Sequence, residues 1–177
     1  MIEIVFETHA TTEDNEAGIA TGWLPGRLSE QGRVQAEDLG QRRRRDGILA
    51  VFTSDLARAT ETARLAFGRP GIPVLQDWRL RECDYGALNG ASVQEVHGER
   101  NAHLQSPYPN GESWRQAVER AGRILDDLPS RWVGSRVLVI GHVATRWAMD
   151  HYLDHIPLER LLAEDFAWQP GWDYRLG

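Results

Sequence analysis

Three residues that suit phosphate chemistry each come a few positions after a short apolar run of the chain: His9, Arg58 and His142. A neutral imidazole can attack phosphorus, and a guanidinium group presents a planar, permanently charged fork to two oxygens at once. In parallel sheets the strands end at one edge, and ligands bind just beyond it. The shared placement of these residues predicts a site for a phosphorylated ligand.

The apolar runs before these residues have the pattern of strands. Residues 2–6 carry apolar side chains at alternate positions, and residues 49–52 and 73–75 form short apolar runs. Residues 137–140 are apolar at every position, which is typical of a central parallel strand. We therefore predict strands over all of these segments.

Helix signals fall between the strands. Ser29 and Ser113 are candidate N-caps, and each precedes a stretch with helical spacing of apolar residues. Residues 56–67 also fit a helix, whereas residues 82–111 are rich in glycine and proline and fit an insertion with one short helix. The alternation predicts an α/β fold, a three-layer sandwich with a mostly parallel central sheet, in a single domain over residues 1–177.

Composition and charge limit the class of protein. The chain has 177 residues, of which 41% are hydrophobic and 26% charged, as in ordinary globular domains. A net charge of −6 argues against nucleic acid or an anionic membrane as the partner. No apolar run approaches the ~20 residues of a membrane span, and the single cysteine, Cys83, fits a reducing compartment. We expect a cytoplasmic protein.

Five segments then occur in a fixed order. They are Thr8-His9-Ala10-Thr11-Thr12 with Asn15, Leu28-Ser29-Glu30-Gln31-Gly32, Thr53-Ser54-Asp55-Leu56-Ala57-Arg58-Ala59, Leu80-Arg81-Glu82-Cys83-Asp84-Tyr85-Gly86, and Val137-Leu138-Val139-Ile140-Gly141-His142. In this order they resemble the motifs of the histidine phosphatase superfamily, which includes the cofactor-dependent phosphoglycerate mutases. The resemblance extends from Ile4 to about Arg146 and implies a phosphoglycerate mutase-like fold.

The resemblance also implies roles for the residues. His9 would be the nucleophile that becomes a phosphohistidine, and Arg58 and His142 would donate to the phosphate oxygens. Glu82 would protonate the leaving oxygen and then activate water. Neutral groups that would bind phosphate or substrate are Thr8, Thr11, Thr12, Asn15 and Tyr85. We expect no metal or other cofactor.

The chain departs from the family pattern around the nucleophile. Thr8 stands where the family has an arginine, Ala10 where it has glycine, and Glu7 where it has an apolar residue. Loss of a charge-assisted hydrogen bond costs about 1.5–3 kcal/mol, which is roughly ten- to a hundredfold in rate. Arg27 or Arg146 could supply the missing charge. By strand alternation, we expect Glu7 to point away from the side of Thr8.

The predicted activity is hydrolysis of a small phosphorylated metabolite. Cys83 replaces the basic residue that follows the acid in the mutases, and the short chain leaves little room for a lid that excludes water, so a phosphatase is favoured over a mutase. A weakly active or inactive relative that binds a phosphorylated ligand is the main alternative. A structural protein that uses its tryptophans as a contact surface is a third.

Other features have simpler interpretations. His151 and His155 have the spacing of a helical zinc pair but lack the accompanying glutamate, so a polar helix face is favoured. Residues 42–45, four arginines, fit a solvated helix end. The seven tryptophans fit core and pocket-wall packing, and Cys83 fits burial. The aromatic tail, residues 166–176, fits either an edge strand or an oligomer surface, which leaves a homodimer open.

Overall fold

A five-stranded sheet forms the centre of the computed structural model, which describes residues 1–68, 71–164 and 166–177. Its strands are β1 (Ile2–Thr8), β2 (Ile48–Thr53), β3 (Val74–Gln76), β4 (Arg136–Gly141) and β5 (Trp172–Leu176), in the order β3-β2-β4-β1-β5. The pairs β1–β4, β2–β4 and β2–β3 are parallel, and only β1–β5 among the described strand pairs is antiparallel. The predicted strands and the mostly parallel sheet are confirmed.

Helices cover both faces of this sheet. Within the described residues they are α1 (Glu13–Glu16), α2 (Glu30–Arg43), α3 (Ala57–Phe67), α4 (Val93–Glu99), α5 (Trp114–Gly122), α6 (Ile124–Asp127), α7 (Pro129–Trp132), α8 (Val143–Tyr152) and α9 (Leu158–Ala163). The predicted caps are present, since the Ser29 and Ser113 hydroxyls accept from the backbone of Gly32 and Gln116. The α/β prediction is therefore confirmed.

Alternation along β1 explains the three layers. Val5 packs on one face with Leu39 of α2 and Phe67 of α3. Ile4 and Phe6 pack on the other face with apolar side chains of α6 and α8. β4 is buried on both faces and is apolar from Val137 to Ile140, as expected for an inner parallel strand, whereas β1 also carries Glu3 and Glu7.

The remaining segments are the glycine-rich stretch and the aromatic tail. The glycine-rich stretch after Glu82 contains one α-helix, α4, and a single 3-10 turn at Gly86–Leu88. The aromatic tail ends as β5, an edge strand on β1, which confirms that interpretation, whereas an oligomer surface stays a prediction. Across the described parts of the chain, none of the helices has the length and apolar character needed to span a membrane.

Candidate active site

The carboxyl ends of β1 and β4 bring His9 and His142 together. Backbone pairing continues one step past the strand, because the His9 N–H donates to the Gly141 carbonyl at 3.0 Å. The two imidazole rings therefore lie with their centroids 5.0 Å apart. The predicted convergence of these two histidines is present.

The His9 ring has a defined tautomer. Its Nδ1 lies 2.8 Å from the carbonyl oxygen of Ala10, and a carbonyl can only accept, so the proton is on Nδ1. Burial lowers the pKa of His9 to about 3, and the positive charge of Arg58 acts in the same direction, whereas the bond to Ala10 opposes them. The ring is therefore neutral near pH 7, and its Nε2 carries a free lone pair.

Arg58 lies in the first turn of α3, after β2, and is 2% exposed. Its Nη2 donates to the Gly22 carbonyl at 2.8 Å, and its Nη1 reaches the Leu24 carbonyl at 3.4 Å. The same Nη2 is 3.4 Å from Nδ1 of His142. Burial lowers the pKa of Arg58, but a guanidinium group keeps its charge in proteins.

His142 is buried between Arg58 and Ser54. Since a guanidinium only donates, Nδ1 of His142 accepts, and its Nε2 then donates to the Ser54 hydroxyl at 2.7 Å. Burial, followed by the charge of Arg58, lowers the pKa of His142 well below its usual value. Ser54, which lies in the second motif, is a contact that the sequence reasoning did not assign.

Glu82 lies at the amino end of α8. Its Oε1 accepts from the backbone N–H of Cys83 at 2.9 Å and of Ala144 at 3.1 Å, and its Oε2 accepts from that of Val143 at 3.2 Å. These bonds favour the carboxylate, but burial outweighs them and raises the pKa of Glu82. A buried carboxyl group with a raised pKa is suited to general acid catalysis.

Two side chains hold the backbone at Glu82. The Trp23 indole donates to the Glu82 carbonyl at 2.6 Å, and Nη2 of Arg120 donates to the same oxygen at 3.0 Å. Arg120 also donates to the carbonyls of Arg79 and Arg81 and pairs with Glu112 at 2.6 Å. Sequence reasoning missed Arg120, because it lies on α5, far from the motifs along the chain.

A cavity of about 610 Å³ opens over the two histidines. It is lined by Glu7, Thr8, His9, Ala10, Thr11, Asn15, Gln35, Asp38, Leu39, Arg42, Thr62, Glu82, His142, Val143, Phe166 and Trp168. Its walls contain His9, Glu82 and His142, three of the four predicted catalytic residues, and the fourth, Arg58, lies directly behind His142. The volume falls within the usual range for small-molecule sites.

The neutral residues predicted to bind phosphate or substrate fall into two groups. Thr8, Thr11 and Asn15 line the cavity, whereas Thr12 is fully buried, and its hydroxyl caps α1 by accepting from the Asn15 N–H. Tyr85 is also buried: its ring packs 5.5 Å from that of Tyr108, and it does not line the cavity. Direct binding of substrate by Thr12 and Tyr85 is therefore not supported.

Neither arginine suggested as a replacement charge lines the cavity. Arg27 is exposed, and its carbonyl accepts from the Glu13 N–H. Arg146 pairs with Asp150 at 3.2 Å, and its guanidinium carbon lies 4.7 Å from the Trp172 ring. These contacts hold Arg146 on the side of β5, so its predicted role as a phosphate ligand would require the guanidinium group to leave them.

The prediction for the arginine run was wrong in part. Glu7 is 2% exposed and faces α2 on the same side of β1 as Val5, as strand alternation predicts, although both Glu7 and Thr8 line the cavity. Arg43 donates to Glu7 Oε1 through Nη2 at 2.7 Å, and Nη2 of Arg42 is 3.2 Å from both carboxylate oxygens. The arginines at the end of α2 are thus not all solvated, since two of them neutralise a buried carboxylate.

The other features have structural roles. Cys83 is fully buried, as expected. His151 lies in α8 and contacts the Ile156 carbonyl through Nδ1 at 2.8 Å, whereas His155 lies beyond the helix with φ 58°. The two histidines therefore do not share one helix face, so the helical spacing of a zinc pair is lost.

Comparison with known proteins agrees with this geometry. Residues 4–168 match the family model described as the histidine phosphatase superfamily (branch 1). A 2,3-bisphosphoglycerate-dependent phosphoglycerate mutase of Parvibaculum lavamentivorans is 31% identical over 179 residues, which cover 93% of this chain and 85% of the relative.

Solved structures give the same result. YhfR of Bacillus stearothermophilus superposes with a TM-score of 0.87 at 25% identity, covering 99% of this chain and 95% of that one. A mycobacterial glucosyl-3-phosphoglycerate phosphatase superposes with a TM-score of 0.78 at 26% identity, covering 91% and 86%. The family match over residues 4–168 shows that this chain belongs to the histidine phosphatase superfamily.

Proposed function

We propose that this protein is a phosphomonoesterase, which hydrolyses a small phosphorylated molecule through a phosphohistidine on His9. The observation that carries the proposal is the state of the His9 ring. Because Nδ1 is tied to the Ala10 carbonyl and the pKa is lowered to about 3, Nε2 is a free nucleophile near neutral pH.

The proposed reaction has two displacements. In the first, His9 Nε2 forms a bond to phosphorus, the ester P–O bond breaks, and Glu82 gives its proton to the leaving alcohol oxygen. In the second, Glu82 takes a proton from water, the water oxygen bonds to phosphorus, and the P–N bond to His9 breaks. Inorganic phosphate leaves, and both residues return to their starting states.

The positive charge that stabilises the transferred phosphoryl group would come from Arg58. Its fixed position costs little reorganisation during the reaction, since the Gly22 carbonyl already orients it. His142 lines the cavity beside Arg58, so the negative charge of a phosphate would favour protonation of its Nδ1, which would then donate to the phosphate instead of accepting from Arg58.

Mutase activity is the second candidate, because the relative from Parvibaculum carries that name. A mutase of that kind must bind two anionic groups in one cavity. The part of the cavity beyond His9 contains two carboxylates, Glu7 and Asp38, against one guanidinium, Arg42, which is already paired with Glu7. This balance favours a substrate with one anionic group, and therefore the phosphatase.

The test is hydrolysis of 4-nitrophenyl phosphate without added metal. We expect turnover by the wild-type protein, no detectable turnover by His9→Ala, and normal turnover by His155→Asn, which replaces a histidine outside the cavity. A stopped reaction should also carry one phosphoryl group on His9, measured by mass spectrometry of the peptides.

Two results would change this conclusion. Activity in His9→Ala would exclude the phosphohistidine route. An inactive wild-type protein that becomes active on Thr8→Arg would instead support the alternative, a phosphate-binding relative that lacks one catalytic charge. Interconversion of phosphoglycerates faster than release of phosphate would favour the mutase.

A further inference from the structure

The cavity continues from His9 to two aromatic side chains of the tail. Phe166 and Trp168 line its outer part, and they remain 38% and 62% exposed. The prediction that the tryptophans pack in the core or on a pocket wall holds for Trp114 and Trp147, which are buried, and for Trp168, which lines the cavity. A large aromatic surface therefore faces the space in which the substrate would lie.

This aromatic wall, Phe166 and Trp168, is anchored on both sides. The guanidinium carbon of Arg146 lies 5.8 Å from the Phe166 ring and 4.7 Å from the Trp172 ring, within reach of cation–π attraction. Nη2 of Arg43 donates to the Pro170 carbonyl at 3.0 Å. Trp168 lies between these two contacts along the chain, so its ring lines the cavity from a segment that is anchored on both sides.

The charges near the wall restrict what can bind there. Arg43 reaches Glu7, Asp46 and the Pro170 carbonyl, and Arg42 is also paired with Glu7, so carboxylates already balance the charge of both guanidinium groups. Asp38 is exposed at the same end of the cavity. A carboxylate or second phosphate would meet guanidinium groups whose charge Glu7 and Asp38 already balance, whereas an uncharged ring would meet the Trp168 face.

We propose that the substrate is a phosphomonoester of an uncharged alcohol with an aromatic ring, which packs against Trp168 and Phe166 while its phosphate lies at His9. This inference rests on the proposed function, because it places the leaving group by reference to the His9 phosphate position. A cavity of about 610 Å³ accommodates a phosphate and an aromatic group together.

The turnover test compares 2-phenylethyl phosphate with 2-cyclohexylethyl phosphate. Both release a primary alcohol through the same linker, so aromaticity is the main difference between them. Stacking on an aromatic side chain changes affinity about five- to a hundredfold, so we expect kcat/KM to favour the phenyl ester about tenfold. Equal values would overturn the inference.

Variants of two exposed tryptophans test which side chain causes the preference for the phenyl ester. Trp168→Leu keeps an apolar side chain and removes the aromatic face, so it should reduce the preference to within about twofold. Trp78→Leu is the matched control, because Trp78 is also exposed but does not line the cavity, and it should retain the full preference. Retention of the preference in Trp168→Leu would overturn the inference.

A binding test separates this inference from the proposed function. The phosphonates 3-phenylpropylphosphonate and 3-cyclohexylpropylphosphonate have no ester bond, so their affinities, measured by calorimetry, do not depend on catalysis. A phenyl preference without ester hydrolysis would support the aromatic site while the proposed function fails. Hydrolysis without any phenyl preference would support the proposed function and overturn the aromatic site.

Sedimentation of the same proteins tests whether a second copy of the chain, and not a substrate, covers Trp168. The inference expects the same sedimentation coefficient for wild type and Trp168→Leu. A wild-type dimer that dissociates in Trp168→Leu, with substrate preference unchanged, would overturn it, because the indole would then cover a second copy of the chain.

Discussion

Protonation of His9 should make folding less favourable in acid. Burial and Arg58 lower the pKa of His9 from 6.5 to about 3 in the folded protein, whereas in the unfolded chain the ring keeps its ordinary value. Between these two pH values only the unfolded state binds this proton. The free energy of unfolding must then decrease as the pH falls from about 6.5 toward 3.

The size of this effect follows from the same shift. At pH 5 the unfolded ring is almost fully protonated and the folded ring is neutral, which corresponds to about 2 kcal/mol. The value depends little on how low the folded pKa lies, provided that it is below about 4. Since the ring is partly exposed at the cavity, water reduces the burial penalty, and we expect about 1–2 kcal/mol.

The assay is urea unfolding at pH 7.5 and pH 5, followed by circular dichroism. Every other titrating group is shared by wild type and His9→Gln, so the difference between their losses isolates His9. We expect wild type to lose about 1–2 kcal/mol more than His9→Gln. His155→Asn should behave as wild type, and equal losses in wild type and His9→Gln would refute the reasoning.

Three further predictions concern neighbouring residues. Glu82→Gln should lower kcat/KM for an alkyl phosphate by about 10²–10⁴-fold but affect that for 4-nitrophenyl phosphate far less, because kcat/KM reports transfer to His9 and nitrophenolate leaves without a proton; equal effects on kcat/KM would exclude the acid role. Glu7→Gln should lower the free energy of unfolding in urea by about 1.5–3 kcal/mol, because Arg43 loses one charged partner but keeps Asp46, and an unchanged midpoint would contradict this. Gly32→Ala should cost about 2–3 kcal/mol and reduce activity, since its Cβ would lie 1.9 Å from the Thr11 carbonyl oxygen, and wild-type activity would show that the loop adapts.

Local chemistry was enough to predict the elements and the centre of the site. The apolar patterns of β1, β2 and β4 gave the parallel strands, and the shared edge of parallel strands then brings His9 and His142 together. The caps of α2 and α5 are encoded within three residues. Features of this kind depend on neighbours along the chain or on a general rule of sheet geometry.

Pairings between distant segments could not be predicted in this way. Arg120 supports Glu82 from α5, and Arg43 reaches both Glu7 and the Pro170 carbonyl. Each is one arginine among many with ordinary spacing, so its partner is decided only when helices pack on the sheet. The interpretation of the arginine run as solvated failed for this reason, because a helix end tolerates cations with or without a buried carboxylate.

The sheet order also has a consequence for synthesis on the ribosome. The strands on either side of β1 are β4 and β5, which begin at Arg136 and Trp172, so both partners of the strand that carries the nucleophile are made after it. Emerging β1 therefore has two unpaired edges until more than a hundred further residues have been translated. The strand before His9 should accordingly need chaperone protection on the ribosome until β4 has emerged.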